Sequence, residues 1–287
     1  MTPAGALARY WHTLRWLKPT QFFGRAYRML RRPRIDPRPA PASAQALGSW
    51  PTGRRSASML GPSRFRFLSE EGQVLSSAGW NDPERPKLWL YNLHYFDDLD
   101  SVDAPARHDW HRELVERWIL ENPPGRGNGW EPYPLSLRIV NWIKWALRTG
   151  DMSPVARHSL AIQVRYLSGD LEYHLLGNHL WANAKALVFA GLFFTGREAE
   201  GWLRRGTRLI QRQLQEQVLP DGGHFERSPM YHSIVLEDLL DLIQLDRLNP
   251  GRLDKAPLGQ IQHSVGPMLR WLQIMSHPDG QIALFND

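Results

Sequence analysis

An all-α chain, arranged as an α/α toroid or solenoid, is what this sequence predicts, and three observations carry that reading. From about residue 104 onward the apolar residues recur at helical spacing. The segments between these stretches are short, and short connections between long helices force antiparallel neighbours. In LWANAKALVFAGLFF (180–194) the apolar residues wrap more than one face, so this helix must be covered on two sides. No exact repeat of fixed period is visible, which weakens the regular-solenoid option.

The elements follow in order. In residues 1–32, Leu7, Tyr10, Trp11, Leu14 and Leu17 fall at helical spacing, and Phe23, Tyr27 and Leu30 repeat the pattern. Both stretches read as basic amphipathic helices. They have the character to lie on a membrane surface, although packing against the body is the commoner fate. Residues 33–86 are rich in Pro, Arg, Ser and Gly, a composition that resists regular structure. Within them, RFRFLSEEGQV around Phe65 and Phe67 reads as a short hairpin, so residues 1–86 form a basic segment and linker. LWLYNLHYF (88–96) reads as a brief aromatic extended segment leading into the body. Helices are then expected near 105–121, 133–149, 154–173, 179–195, 198–217, 229–246 and 257–275.

Composition bounds the function classes. The hydrophobic fraction of 42% and the charged fraction of 22% are ordinary for a globular protein. Without cysteine there are neither disulfides nor thiolate metal sites. No uninterrupted apolar stretch is long enough to span a bilayer, and the N-terminus lacks the apolar core of a signal peptide. A cytoplasmic location is expected, with the periplasm as the alternative. The 13 tryptophans are unusual; they suit stacking on sugar rings, but they also dominate helical cores, which is the commoner use.

The net charge of +6 is unevenly placed. Residues 1–60 hold eleven Arg/Lys against the single acid Asp36, while the remainder has 24 basic against 28 acidic residues. The basic segment suits an anionic partner such as a lipid surface or an acidic glycan, although a solvated basic face is the blander reading. Nucleic acid is not expected as a partner.

Three segments carry candidate chemistry. In GNHLWANAKALVF (177–189), Gly177 ends one element and Asn178 stands where the next helix begins. Asparagine is among the best N-caps, and a residue there can also present its amide to a groove. Helix N-termini attract carboxylates through their free N–H groups, and His179 lies in the same first turn. In LPDGGHFERSPMYHSIVLEDLL (219–240), Ser228 and Pro229 read as N-cap and first helical residue. Tyr231 then falls in the first turn, with His224 and Glu226 on the loop before it and His232 just after. A lone tyrosine at such a position is usually a packing residue. In GRGNGWEPYPLSLRIVNWIKW (125–145), Trp130 and Tyr133 are candidate sugar platforms. Arg138 faces either the groove or a neighbouring acid. The glycines do not match a phosphate-cradling loop. His174 and His179 are five apart and His224 and His232 eight apart, which gives no metal-ligand pattern; neither metal nor cofactor is expected.

Taken together, LYNLHYFDDL (90–99), WEPYPLSLRIVNW (130–142), GNHLWANAKAL (177–187) and GGHFERSPMYH (222–232) resemble the helical domain of heparinase II/III-like polysaccharide lyases, a family related to alginate lyases. The resemblance implies an α/α toroid over 87–276, followed in the family by a C-terminal antiparallel β-sandwich. Residues 277–287 would be the start of that sandwich, so the toroid is expected to be incomplete and the chain to have little activity by itself. The implied activity is β-elimination on a uronic-acid-containing polysaccharide. In that scheme Asn178 and His179 neutralise the uronate carboxylate, and Tyr231 transfers the proton. Trp130, Tyr133, Arg138, His224, Glu226 and His232 are then substrate-binding candidates. Two other readings stand beside it. One is a toroidal glycoside hydrolase, which needs paired carboxylates such as Glu226 with Glu131 or Glu172. The other is a non-catalytic glycan-binding protein of exopolysaccharide production.

Overall fold

In a computed structural model that describes residues 12, 15, 17–30, 33–53 and 55–286, the chain is mostly helical. The first basic helix, with Leu7, Tyr10, Trp11 and Leu14, lies outside the described residues. The second is α1 (Pro19–Leu30), whose Arg28 contacts His174 and Asp170 of the body. The hairpin around Phe65 and Phe67 gains a third strand: β1 (Met59–Gly61), β2 (Arg64–Phe67) and β3 (Glu70–Gln73) pair antiparallel in that order. Phe65 and Phe67 alternate inward along β2, as a half-buried strand requires.

The segment expected to be extended at 88–96 is instead helical, α2 (Lys87–Tyr95). Its aromatic content favours strands, but the buried residues Trp89, Leu90, Leu93 and His94 follow a helical spacing. Pro86 precedes the first turn, and Phe96 ends the helix in the left-handed region with φ of 63°. Tertiary packing of that apolar stripe overrides local propensity.

Seven long helices follow: α3 (His108–Glu121), α4 (Pro132–Thr149), α5 (Pro154–Gly169), α6 (Gly177–Phe193), α7 (Arg197–Gln217), α8 (Pro229–Leu248) and α9 (Lys255–Ile274). They match the seven expected from spacing, with ends displaced by a few residues. Helix α6 packs against α4, α7 and α8, and its residues from Leu180 to Phe193 are buried without a break. That double coverage is what its all-round apolar sequence requires. Two glycines set the closeness of α6 and α7. A Cβ on Gly191 would lie 2.6 Å from the Leu203 nitrogen, and one on Gly206 would lie 2.8 Å from the Ala184 oxygen.

The Pro-rich linker acts as a strap across one end of this bundle. Ala44 N–H donates to the Phe193 carbonyl at 2.8 Å, Leu47 N–H to Leu248 at 2.8 Å, and Trp50 N–H to Leu147 at 3.3 Å. These acceptors sit at the C-terminal ends of α6, α8 and α4, where helices leave carbonyls unsatisfied. The Arg252 guanidinium caps the end of α6 further, donating to the carbonyls of Gly191 and Phe194. Helices α4, α6 and α8 therefore point the same way, and their N-termini gather at the opposite end of the bundle. Trp80, Trp89, Trp118, Trp142 and Trp181 are fully buried between the layers.

Candidate active site

The three sequence motifs lie at the three gathered N-termini. Helix α4 begins at Pro132, α6 at Gly177 and α8 at Pro229. Free N–H groups and the positive ends of three helix dipoles thus share one end of the molecule, a setting that favours an anionic ligand. Ser228 caps α8 as its sequence predicts, with its hydroxyl accepting from Tyr231 N–H at 3.3 Å.

The start of α6 differs from expectation. Asn178 is not the N-cap; the cap position is Leu176, and Gly177 opens the helix instead of ending the preceding element. Leu176 and Gly177 both have positive φ, 64° and 53°. This two-residue reversal turns the chain sharply, so the Asn178 side chain is released from capping. Its amide is half-buried, lines the adjacent cleft and makes no hydrogen bond among the described residues.

His179 follows in the same turn and is held from two directions. Its Nδ1 lies 3.1 Å from Glu172 Oε1, and its ring lies 4.5 Å from that of Tyr133. Tyr133 lines the cleft beside Asn178. Burial, then the nearby carboxylates of Asp238 and Asp97 and the Tyr231 hydroxyl, push the Tyr133 hydroxyl up to about 12. Tyr231 is half-buried in the first turn of α8, with its ring 6.5 Å from that of His224. Glu226 is half-buried on the loop before α8, and its Oε1 would lie 3.4 Å from a Cβ added at Gly177.

One residue outside the motifs ties the two loops together. Fully buried Gln217, at the end of α7, donates through Nε2 to the Gly177 carbonyl at 3.2 Å and to Gln213 Oε1 at 2.8 Å. Its Oε1 accepts from His224 Nε2 at 3.0 Å. Since Oε1 can only accept, His224 carries its proton on Nε2. Burial, with His232 adding to it, lowers the His224 imidazole to about 4, so it is neutral at ordinary pH. His224 thus fixes the loop, and its 1% exposure leaves it away from solvent.

Three further candidates belong to the core. Trp130 is 4% exposed and packs against Trp118 and Tyr166, so it is no sugar platform. Arg138 is fully buried and meets neither the groove nor an acid. Its guanidinium donates to Gln163 Oε1 and to the His94 and Gly129 carbonyls, and lies 3.8 Å from the Trp118 ring centre. It fastens the glycine-rich loop to α2 and α5. His232 is buried on the far side of its helix, with Nε2 3.0 Å from the Met268 carbonyl and its ring stacked on Trp271. The i to i+1 step around α8 turns it about 100° away from Tyr231.

The cleft has a volume of about 370 Å³ and a floor that spacing alone does not reveal. Lys185 contacts Asp238 and Asp241, Lys144 contacts Asp100 and Asp241, and Arg55 contacts Asp97 and Glu237. The indole N–H of Trp181 also donates to Asp238 at 2.8 Å. Each cation on this floor is therefore paired with carboxylates, leaving neutral groups, Asn178 and the tyrosines, to meet a ligand. The signal for Lys185 and Asp238 was present in the sequence as charges within apolar helices. Only the packing of α6 on α8 pairs them. Among the described residues no group of three or more His, Asp or Glu side chains could hold a metal ion.

The chain is similar to known proteins in sequence and in fold. Residues 155–287 match the family model described as Heparinase II/III N-terminus. A heparin-sulfate lyase of Bacteroides stercoris is 41% identical over 199 residues, covering 56% of this chain and 29% of that protein. A heparin-sulfate lyase of Pedobacter heparinus is 31% identical over 236 residues, covering 75% of this chain and 35% of that protein. The chain thus spans about a third of the length of these two relatives. A crystal structure of a heparan sulfate lyase HepC mutant from Pedobacter heparinus superposes with a TM-score of 0.57 at 19% identity, over 93% of this chain and 45% of that one. This last likeness shows the fold.

Proposed function

The chain is heparinase II/III-like, and from that premise we propose that it supplies the helical wall of a lyase site for β-elimination on a uronic-acid-containing glycan. The observation that carries the reading is the convergence of Asn178, His179 and Tyr231 at neighbouring helix N-termini. The chemistry explains why these residue types belong together. The C5 proton of a uronate is weakly acidic while the adjoining carboxylate keeps its full charge. Hydrogen bonds from the Asn178 amide and the His179 ring to that carboxylate stabilise the enolate-like state as charge moves onto it. Tyr231 is then the proton-transfer residue. Loss of the C5 proton expels the oxygen on C4 and leaves a C4–C5 double bond.

The hydrolase reading finds less support. It needs two carboxylates facing one glycosidic bond. Glu172 is 4% exposed, with one oxygen beside His179 and the other accepting from Asn183. Glu131 is engaged by Tyr91 and Lys87. A purely glycan-binding role predicts binding without bond cleavage, and one experiment separates the three. The intact protein is incubated with a panel of uronic-acid glycans, following both the ultraviolet absorbance of unsaturated uronate ends and the appearance of reducing ends. A rise in absorbance that Tyr231→Phe abolishes is expected. Reducing ends without absorbance would establish hydrolysis, and binding with neither would establish a lectin-like role.

A further inference from the structure

Beneath His179 runs a chain of polar groups that no packing requirement explains. Ser136 on α4 and Asn183 on α6 are both fully buried, and Glu172, on the link between α5 and α6, is 4% exposed. Their hydrogen bonds run in one sense. The Ser136 hydroxyl donates to the Pro132 carbonyl at 2.8 Å, so its oxygen accepts from Asn183 Nδ2 at 3.0 Å. Asn183 Nδ2 also donates to Glu172 Oε2 at 3.1 Å, and Asn183 Oδ1 accepts from the Glu172 backbone N–H at 2.8 Å. Asn183 is thereby used up, and its amide cannot be turned over without placing an acceptor against the Glu172 carboxylate. The one remaining oxygen of Glu172, Oε1, lies 3.1 Å from His179 Nδ1.

We infer that Glu172 is a positioning residue that fixes His179 with its proton on Nδ1 turned into the protein and Nε2 turned outward. The inference rests on the lyase reading of His179 and adds a residue to it. A buried carboxylate is costly unless its oxygens are satisfied, and here both are, by donors one turn apart on α6. The Tyr133 ring packs against the imidazole at 4.5 Å, tilted 41° to it, so a hydrogen bond at one edge and a ring against one side together restrict its rotation. Carboxylate partners of this kind fix the tautomer and orientation of a functional histidine. The charged and titratable groups near His179 are Glu172, His174, Tyr133 and, across Gly177, Glu226. Of these, Glu172 forms a hydrogen bond to the ring.

Two measurements test it, and the first needs no variant and no substrate. Nitrogen NMR of the histidine rings in the wild-type protein at neutral pH should show His179 with Nδ1 protonated. A ring whose only proton sits on Nε2 would overturn the inference, whatever the protein's activity. The second is a double-mutant cycle on the elimination rate. Glu172→Gln offers one acceptor oxygen for two donors, and it should lower kcat/KM at least tenfold. Added to His179→Ala, it should lower the rate no further, because it acts through a ring already removed. A further tenfold loss in the double variant would mean that Glu172 acts on the fold in general, and would sink the assignment. Should no glycan be cleaved, the lyase reading fails by itself and the NMR result still decides where Glu172 holds the ring.

Discussion

Gln217 and His224 form the joint between two parts of the candidate site: Gln217 Oε1 accepts from His224 Nε2 at 3.0 Å, while its Nε2 reaches the Gly177 carbonyl at 3.2 Å. Neither partner touches the cleft, yet the pair fixes the loop that carries Glu226 to the turn that launches Asn178 and His179. Replacing Gln217 by Leu keeps the volume and removes both bonds, together with the one it donates to Gln213. The buried His224 nitrogen and Gly177 carbonyl lose their partners, at about 1–3 kcal/mol for each unsatisfied group. Elimination activity should fall by at least tenfold while the protein still unfolds cooperatively, as checked by urea denaturation alongside the rate. Full activity in a destabilised Gln217→Leu protein would show that the joint is only structural.

Much of this was readable in the sequence. Seven long helices, the hairpin at Phe65 and Phe67, and the Ser228 cap beside Tyr231 follow from local spacing and capping rules, which act within a few residues. The failures share a cause, because each depends on what a segment packs against. The helix at Lys87–Tyr95 has strand-forming residues on a helical stripe. Trp130 and Arg138 look like ligand-facing residues until the layers close over them. His232 is adjacent to Tyr231 in sequence and on another side of the helix in space. Glu172 and Gln217 carry no motif, since their value comes from partners 7 and 40 residues away.

The close approach of α6 and α7 predicts an inverted response to a normally favourable substitution. Gly206→Ala improves helix propensity by about 1 kcal/mol in an exposed helix. Here the new Cβ would lie 2.8 Å from the Ala184 oxygen and the Val188 nitrogen, both backbone atoms that cannot step aside. Overpacking of that kind costs about 1–3 kcal/mol. Gly206→Ala should therefore lower the thermal midpoint, while Gly201→Ala on the same helix, with open space around it, should hold or raise it. Equal responses at the two positions would rule out the steric account.

The cleft floor predicts a strong asymmetry between losing a cation and losing a rim acid. Lys185→Met leaves Asp238 and part of the charge of Asp241 uncompensated in a buried site, where breaking such a pair costs about 3–5 kcal/mol. Glu237 is half-exposed, and Arg55 keeps Asp97 when it is removed, so Glu237→Gln should cost under about 1 kcal/mol. Chemical denaturation of the two variants at neutral pH checks this. A Lys185→Met protein as stable as the parent would show that the floor is solvated and its charges weakly coupled.

The acid stability of the protein depends on one buried ring. Trp118 Nε1, which can only donate, lies 3.0 Å from His94 Nδ1. His94 Nδ1 is therefore an unprotonated acceptor, and the proton sits on Nε2, which donates to the Trp80 carbonyl at 3.0 Å. The imidazole is neutral by geometry, and adding a proton at Nδ1 would break the Trp118 bond beside the Arg138 guanidinium. Burial first, and Arg138 second, lower His94 from 6.5 to about 3. Because the folded value is depressed, the unfolded chain binds its proton first as pH falls. The folded state keeps its full margin above about pH 6.5 and loses it progressively toward pH 3. His224, lowered to about 4, acts in the same direction over a narrower window. The urea midpoint should thus decline steadily between pH 6.5 and 5, a range in which most carboxylates have yet to titrate. A midpoint unchanged from pH 7 to pH 5 would mean that His94 gains its proton without cost, and the tautomer assigned from Trp118 would be wrong.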